Sequence, residues 1–233
     1  MSWSIANHFL LLDEKKRELI ALDPFGEMNL SSGLGQKRFH FGDLVWIGMS
    51  PQGIKVVDRL ENEIIILDYH LNTIRNITLN QRIFPENVAI DPWGRLFLYT
   101  RTYNCIYIFD NGEMYQTPFI NLSKEFSPAF CMQKMEINQD GEIAILECNG
   151  SIHFFNRNGQ IKISLTALLE DPTFLIPLRD DWFIFNQNGV GISIQTRDHV
   201  IIPVASLPIV DMVSLNRSIA VLSKDHILVL DVK

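Results

Sequence analysis

The residues able to do chemistry are few in this chain and poorly clustered. Six histidines, His8, His40, His70, His153, His199 and His226, include no pair at a metal-ligand spacing. Three cysteines, Cys105, Cys131 and Cys148, form no C-x-x-C motif for zinc or redox work. Such a sparse odd count is no disulfide framework. One bridge is open to the chain but not indicated, and Cys105 and Cys148, beside apolar strand runs, read as small core residues. No G-x-S-x-G elbow is present. The stretch "SSGLGQKRFHFGD" at residues 31–43 is the nearest thing to a phosphate-cradling loop. A dinucleotide loop needs a strand before its glycines and a helix after them. Here the strand-like "DLVWIGM" follows, so the stretch reads as a connector.

Composition narrows the function classes. The chain has 233 residues, 47% of them hydrophobic and 20% charged, with a net charge of −7. That is a folded protein with a sizeable core. Its acidic balance argues against a nucleic-acid surface, which needs clustered Lys and Arg. The dense basic clusters, Lys15-Lys16-Arg17 and Lys37-Arg38, read as solvated turns. No apolar run reaches the roughly 18 residues of a membrane-spanning helix, and no signal-peptide pattern opens the chain. The expected location is therefore cytoplasmic as the sequence stands, with an exported mature form, its leader removed, as the alternative. The sequence leaves the oligomeric state open.

The elements that position these residues are strands. Short apolar or β-branched runs such as "ELIALD", "EIIILD", "CIYIFD", "SIHFFN" and "HILVLD" alternate with polar turns. One turn of helix is expected from Leu165 to Glu170. The polar residues closing alternate strands, Asp23, Asp68, Asp110, Asn156, Gln195 and Asp231, recur at about 40-residue intervals. The turns "SPQG", "DPWG", "NQDG" and "LRDD" recur with them. A period of about 40 residues with four short strands per unit is the signature of a β-propeller blade. The expected fold class is all-β, a single propeller domain over residues 1–233 with six blades of mostly four antiparallel strands. Five blades with merged ends is the alternative.

The segments "IDPWGRLFLYTRTYNCIYIFDNGEM" and "MSPQGIKVVDRLENEIIILDYHLNTI" resemble the NHL-repeat type of six-bladed propeller, with Asp58 and Asn62 at the motif's usual places. Arg101 and Glu147 depart from it, standing where Asp is usual. RNA binding occurs in that family, but this chain lacks the basic face it needs. The blades fall at about 2–32, 43–80, 84–122, 129–168, 171–206 and 208–233. Blade six stops after three strands. Either it is three-stranded or residues upstream of Met1 in a precursor complete it.

Asp13, Asp58 and Glu147 close second strands. Asp58 and Glu147 are the weak metal candidates, for Ca²⁺. The favoured reading is that an Asp there accepts bonds from its own turn. Trp46 is expected between blades, and Trp93 on a turn at the opposite face. The long linkers, residues 29–43 and 121–131, carry Arg38, His40, Phe41, Phe126 and Phe130, a candidate partner-binding rim. The resulting expectation is a non-catalytic interaction module for a protein, peptide or glycan, with no cofactor, no nucleic acid and no membrane span. The alternative is a small metal-dependent hydrolase or lyase with a central-channel site.

Overall fold

The computed structural model describes residues 1–4, 6–13, 15–32, 41–50, 53–127, 129–203 and 206–232. They form six small antiparallel sheets in two compact units, Met1–Glu125 and Phe126–Lys233.

In the first unit, β1(Ser2–Trp3), β2(Phe9–Asp13), β3(Glu18–Leu22) and β4(Met28–Ser32) make one sheet in chain order. β5(Leu44–Ser50), β6(Gly53–Asp58), β7(Glu63–Leu67) and β8(Thr73–Thr78) make the next. β9(Asn87–Ile90), β10(Leu96–Thr100), β11(Cys105–Asp110) and β12(Glu113–Met114) make the third, with β13(Ile120–Asn121) also pairing with β11. One helical turn, α1(Leu122–Glu125), closes the unit.

In the second unit, β14(Met132–Ile137), β15(Ile143–Glu147), β16(Ser151–Phe155) and β17(Ile161–Thr166) are followed by β18(Phe174–Leu178), β19(Asp181–Phe185), β20(Val190–Ser193) and β21(His199–Ile201). The last sheet holds three strands: β22(Asp211–Leu215), β23(Ser218–Leu222) and β24(Ile227–Asp231). The expected six strand groups and their limits match these sheets. The helical turn expected at Leu165–Glu170 does not form. Its start belongs to β17, whose Leu165 is needed opposite Ile152 in the ladder.

Middle strands read as unbroken apolar runs because both of their faces are covered. All six residues of β6 are buried. Val56 joins Leu10, Leu19 and Ile47 in a core between the first and second sheets, while Val57 joins Ile64, Leu96 and Tyr107 between the second and third. The second unit repeats this arrangement. Ala144, Ile152, Leu175 and Trp182 pack between its first two sheets, and Phe174, Phe185, Met212 and Val221 between its last two. No sheet can hide both apolar faces alone, so each is stable only against neighbours. Trp46 is half-buried against the core between the second and third sheets. Its ring crosses Gly48, where a Cβ would stand 2.0 Å from Trp46 Cη2, so only glycine fits there.

One turn design recurs six times among the described residues. Asp23, Asp68, Asp91, Asn138, Asn156 and Asn186 each accept, on Oδ1, the backbone N–H groups two and four residues on. The N–H three residues on donates to the same residue's own carbonyl. That third position has a positive φ, met by glycine everywhere except Leu71, at 61°. The local cost at Leu71 is offset by its burial in the core between the first and second sheets.

Candidate functional site

The three such turns in the first unit differ from the other three in what they display. Asp23-Pro24-Phe25-Gly26, Asp68-Tyr69-His70-Leu71 and Asp91-Pro92-Trp93-Gly94 each hold an aromatic ring in solvent. Phe25 is 89% exposed, Tyr69 60% and Trp93 57%. The matching positions in the second unit carry Gln139 and Asp140, Arg157 and Asn158, Gln187 and Asn188, all exposed. The hydrogen bonds are the same in both sets, so the turn does not call for the aromatics. Exposed aromatic rings are the kind of side chain that protein interfaces favour.

The three rings share one edge of the unit. In an up-and-down sheet, the turn joining strands one and two and the turn joining strands three and four lie at the same end. Side-chain contacts align the sheets. Ser2 Oγ accepts the Met49 N–H at 3.2 Å, fixing β1 beside β5. Lys55 Nζ donates to the Gly94 carbonyl at 2.6 Å, tying β6 to the Trp93 turn. The Tyr69 hydroxyl donates to the Ser50 carbonyl at 3.0 Å. Trp93 is held by Arg95, whose guanidinium lies 5.4 Å from the Trp93 ring and 5.6 Å from that of Phe97. The same guanidinium pairs with Asp91 at 2.6 Å. Tyr69 and Trp93 are thus pre-positioned. Burial pushes the Lys55 ammonium below its ordinary pKa, against the opposing pull of Asp110 and Asp91.

The sequence-predicted residues fall elsewhere. Arg38 and His40 lie outside the described residues. Phe41 and Phe130 are each 6% exposed. Both rings are therefore packed beneath the surface rather than displayed: Phe41 joins the core between the first and second sheets, and Phe130 packs against Phe126 and His153. Phe126 is half-buried, stacked on Phe130 at 5.0 Å between ring centroids. Asp58 is fully buried and saturated by its own surroundings. It accepts N–H bonds from Gly42 at 2.5 Å, Asp43 at 2.9 Å and Glu61 at 3.1 Å. Asn62 completes that loop, donating to the Leu79 and Gln81 carbonyls and accepting from Ile83 and Phe84. The Asp58 and Asn62 pair is a clasp holding the linkers on either side of the second sheet.

Glu147 meets a residue that sequence reasoning placed only as a strand position. Its Oε1 lies 2.5 Å from His153 Nε2, and His153 Nδ1 lies 2.7 Å from Ser164 Oγ. With Nε2–H donated to the carboxylate, Nδ1 accepts the serine proton. Phe126 covers the imidazole, at 4.2 Å between centroids. Thus Phe126, Phe130 and Glu147 do converge, around a 6% exposed His153. The contact with Ser164 follows from the strand register, which sets His153 directly opposite it. Beside this cluster, Cys131 and Cys148 form a disulfide, with Cα atoms 5.5 Å apart. Cys148 is therefore a bridge and not the simple core residue expected, because β14 and β15 pair and bring the two together. Cys105 is free and buried. Among the described residues, no group of three or more His, Cys, Asp or Glu side chains could hold a metal ion. Among the described residues, no helix is long and apolar enough to cross a membrane.

No family model matches the chain, and no curated protein sequence matches it. Solved structures do. Virginiamycin B lyase from Staphylococcus aureus superposes with a TM-score of 0.62 at 13% identity, over 99% of this chain and 83% of that one. YCF48 bound to D1 peptide gives 0.65 at 14% identity, over 100% and 77%. BBS1N in complex with ARL6DN gives 0.63 at 12% identity, over 96% and 77%. The fold is a six-bladed β-propeller. At these identities the likeness carries the fold alone, and it spans a lyase and two proteins solved with partners.

Proposed function

We propose that this propeller is a non-catalytic interaction module that recognises a protein or peptide. The observation that carries this reading is the display of Phe25, Tyr69 and Trp93 on turns whose twins in the second unit are built without aromatics. Aromatic anchors on rigid supports lose little entropy on binding and dominate interface energies. The proposed contact edge thus lies at the opposite end of the sheets from the linker rim expected from the sequence. The structures of YCF48 with D1 peptide and of BBS1N with ARL6DN support a partner-binding role by analogy of fold. The clasp made by Asp58 and Asn62 supports an NHL-type reading of the blades. The Cys131–Cys148 disulfide supports the exported alternative, since disulfides persist in oxidising compartments.

The test is a peptide-display selection on the immobilised protein, with each enriched ligand measured against the triple variant Phe25→Ser, Tyr69→Ser, Trp93→Ser. Ligands should lose at least about tenfold in affinity, since each anchor is expected to carry more than about 1 kcal/mol. Equal binding by the triple variant would refute the assignment.

A further inference from the structure

The sheet of β14–β17 differs from the second sheet at three coupled positions. Glu147 closes β15 where Asp58 closes β6. His153 and Ser164 face each other across β16 and β17, at the register that Ile65 and Asn76 hold across β7 and β8. The fold is thus built without a histidine at that place. The carboxylates differ as well. Asp58 accepts three backbone N–H groups. Glu147 is one methylene longer and meets side chains instead, His153 Nε2 on Oε1 at 2.5 Å and Asn149 Nδ2 on Oε2 at 3.1 Å.

Exposure splits this relay in two. The side chains of His153 and Glu147 are 7% and 12% exposed, whereas Ser164 is exposed on β17. A hydroxyl open to solvent is therefore bonded at 2.7 Å to a shielded imidazole nitrogen. Ladder geometry adds a second group. Ala167 N–H donates to the Gly150 carbonyl at 2.8 Å. The alternation of an antiparallel ladder then makes His153 and Ser164 a pair with no backbone bonds between them, which holds their side chains close. It also turns the Ser164 N–H to the outer side of β17, where no strand pairs among the described residues. Nucleophilic oxygen and oxyanion donor can belong to one serine, provided that its own N–H is free.

We propose that Ser164 is a covalent modification site, a nucleophile activated by His153 that accepts an acyl group from a small ester. Ser164 Oγ attacks the ester carbonyl carbon while its proton passes to His153 Nδ1. The carbonyl oxygen takes up the negative charge beside the Ser164 N–H. The bond from carbon to the leaving oxygen then breaks, and the proton on Nδ1 passes to that oxygen. The products are O-acyl Ser164 and a free alcohol or phenol, one acyl group per chain. Glu147 is the positioning residue: it holds Nε2–H, fixes the tautomer with Nδ1 as base, and stabilises the imidazolium formed in between. This site lies within the second unit, is separate from the aromatic edge and does not rest on it.

The probe is p-nitrophenyl acetate, incubated with the full chain and followed by digestion and mass spectrometry. Ser164 should gain an acetyl group at least about a hundredfold faster than Ser123, which is exposed but has no base beside it. Glu147→Gln still accepts the Nε2–H bond but lacks the charge, and should slow the labelling of Ser164 at least about tenfold with the fold retained. A merely structural Glu147 predicts no such change. Wild-type labelling should also be slower in D2O, because the serine proton moves as Oγ attacks. If the glutamine variant fails to fold by circular dichroism, that isotope effect decides. The proposal is overturned if Ser164 reacts no faster than Ser123, if a folded Glu147→Gln reacts equally fast, or if D2O has no effect. It is also overturned if the label on this segment persists in Ser164→Ala, which assigns it to Lys162. The triple aromatic variant should be labelled at the wild-type rate, so failure here and failure of the aromatic edge are distinguishable.

Discussion

Asp58 does the local work expected of an Asp closing a second strand, and Asn62 beside it holds the following linker. A buried carboxylate at a strand end is a reasonable metal ligand on paper. Here three backbone N–H groups already occupy Asp58. Removing Asn62 leaves two carbonyls and two N–H groups of the linker without their partner, so Asn62→Ala should cost about 1–3 kcal/mol in urea unfolding. Added Ca²⁺ should move the melting temperature by less than about 1 °C, because a ligand stabilises only what it binds. Glu63 adds a pH effect. Burial, then the Asp58 and Glu61 charges, raise its carboxyl above the ordinary value against a weaker hydrogen bond from Asn76. A raised carboxyl favours the folded state only while protonated, and that contribution fades as pH climbs through the folded pKa. Glu63→Gln should therefore melt higher than wild type at neutral pH, with the gap closing below about pH 4, where both forms are uncharged.

Among elements, the sheets share cores, so damage spreads to neighbours. Ile64 is fully buried between the second and third sheets. Ile64→Ala should cost about 2–5 kcal/mol by chemical denaturation, the range for a large core residue cut to a methyl group. The β14–β15 pair is stapled by Cys131–Cys148, which closes a loop with a sequence separation of 17 residues. Loops near that length gain about 3 kcal/mol by restriction of the unfolded chain. Reductant should therefore lower the melting temperature by several degrees, and the double change Cys131→Ser, Cys148→Ser should reproduce the loss without reductant. Insensitivity to both would mean the bridge is not formed in solution.

For the molecule as a whole, charge sets what approaches it. A net charge of −7 repels polyanions. Single-stranded RNA should fail to bind even at low salt, where phosphate contacts are strongest. Saturable RNA binding in a filter assay would overturn the peptide-directed reading of the surface. The same acidity favours basic peptides.

Strand periodicity and turn residues were enough to determine the six sheets and nearly all of their limits, because each blade is built from contacts within about 40 residues of chain. The turns at Asp91 and Asn138 were legible for the same reason, as a side chain bonding to its own backbone leaves a local signature. Cys148 was not legible, since its partner depends on the register of β14 against β15. Burial of Phe41 and Phe130 was not legible either, since a linker phenylalanine looks alike whether it faces water or folds under. Trp93 stood in the sequence as a turn residue, but its kinship with Phe25 and Tyr69 emerged only when three sheets aligned their ends. Local hydrogen bonding is written in neighbouring residues. Which rings share an edge depends on packing between segments far apart in the chain.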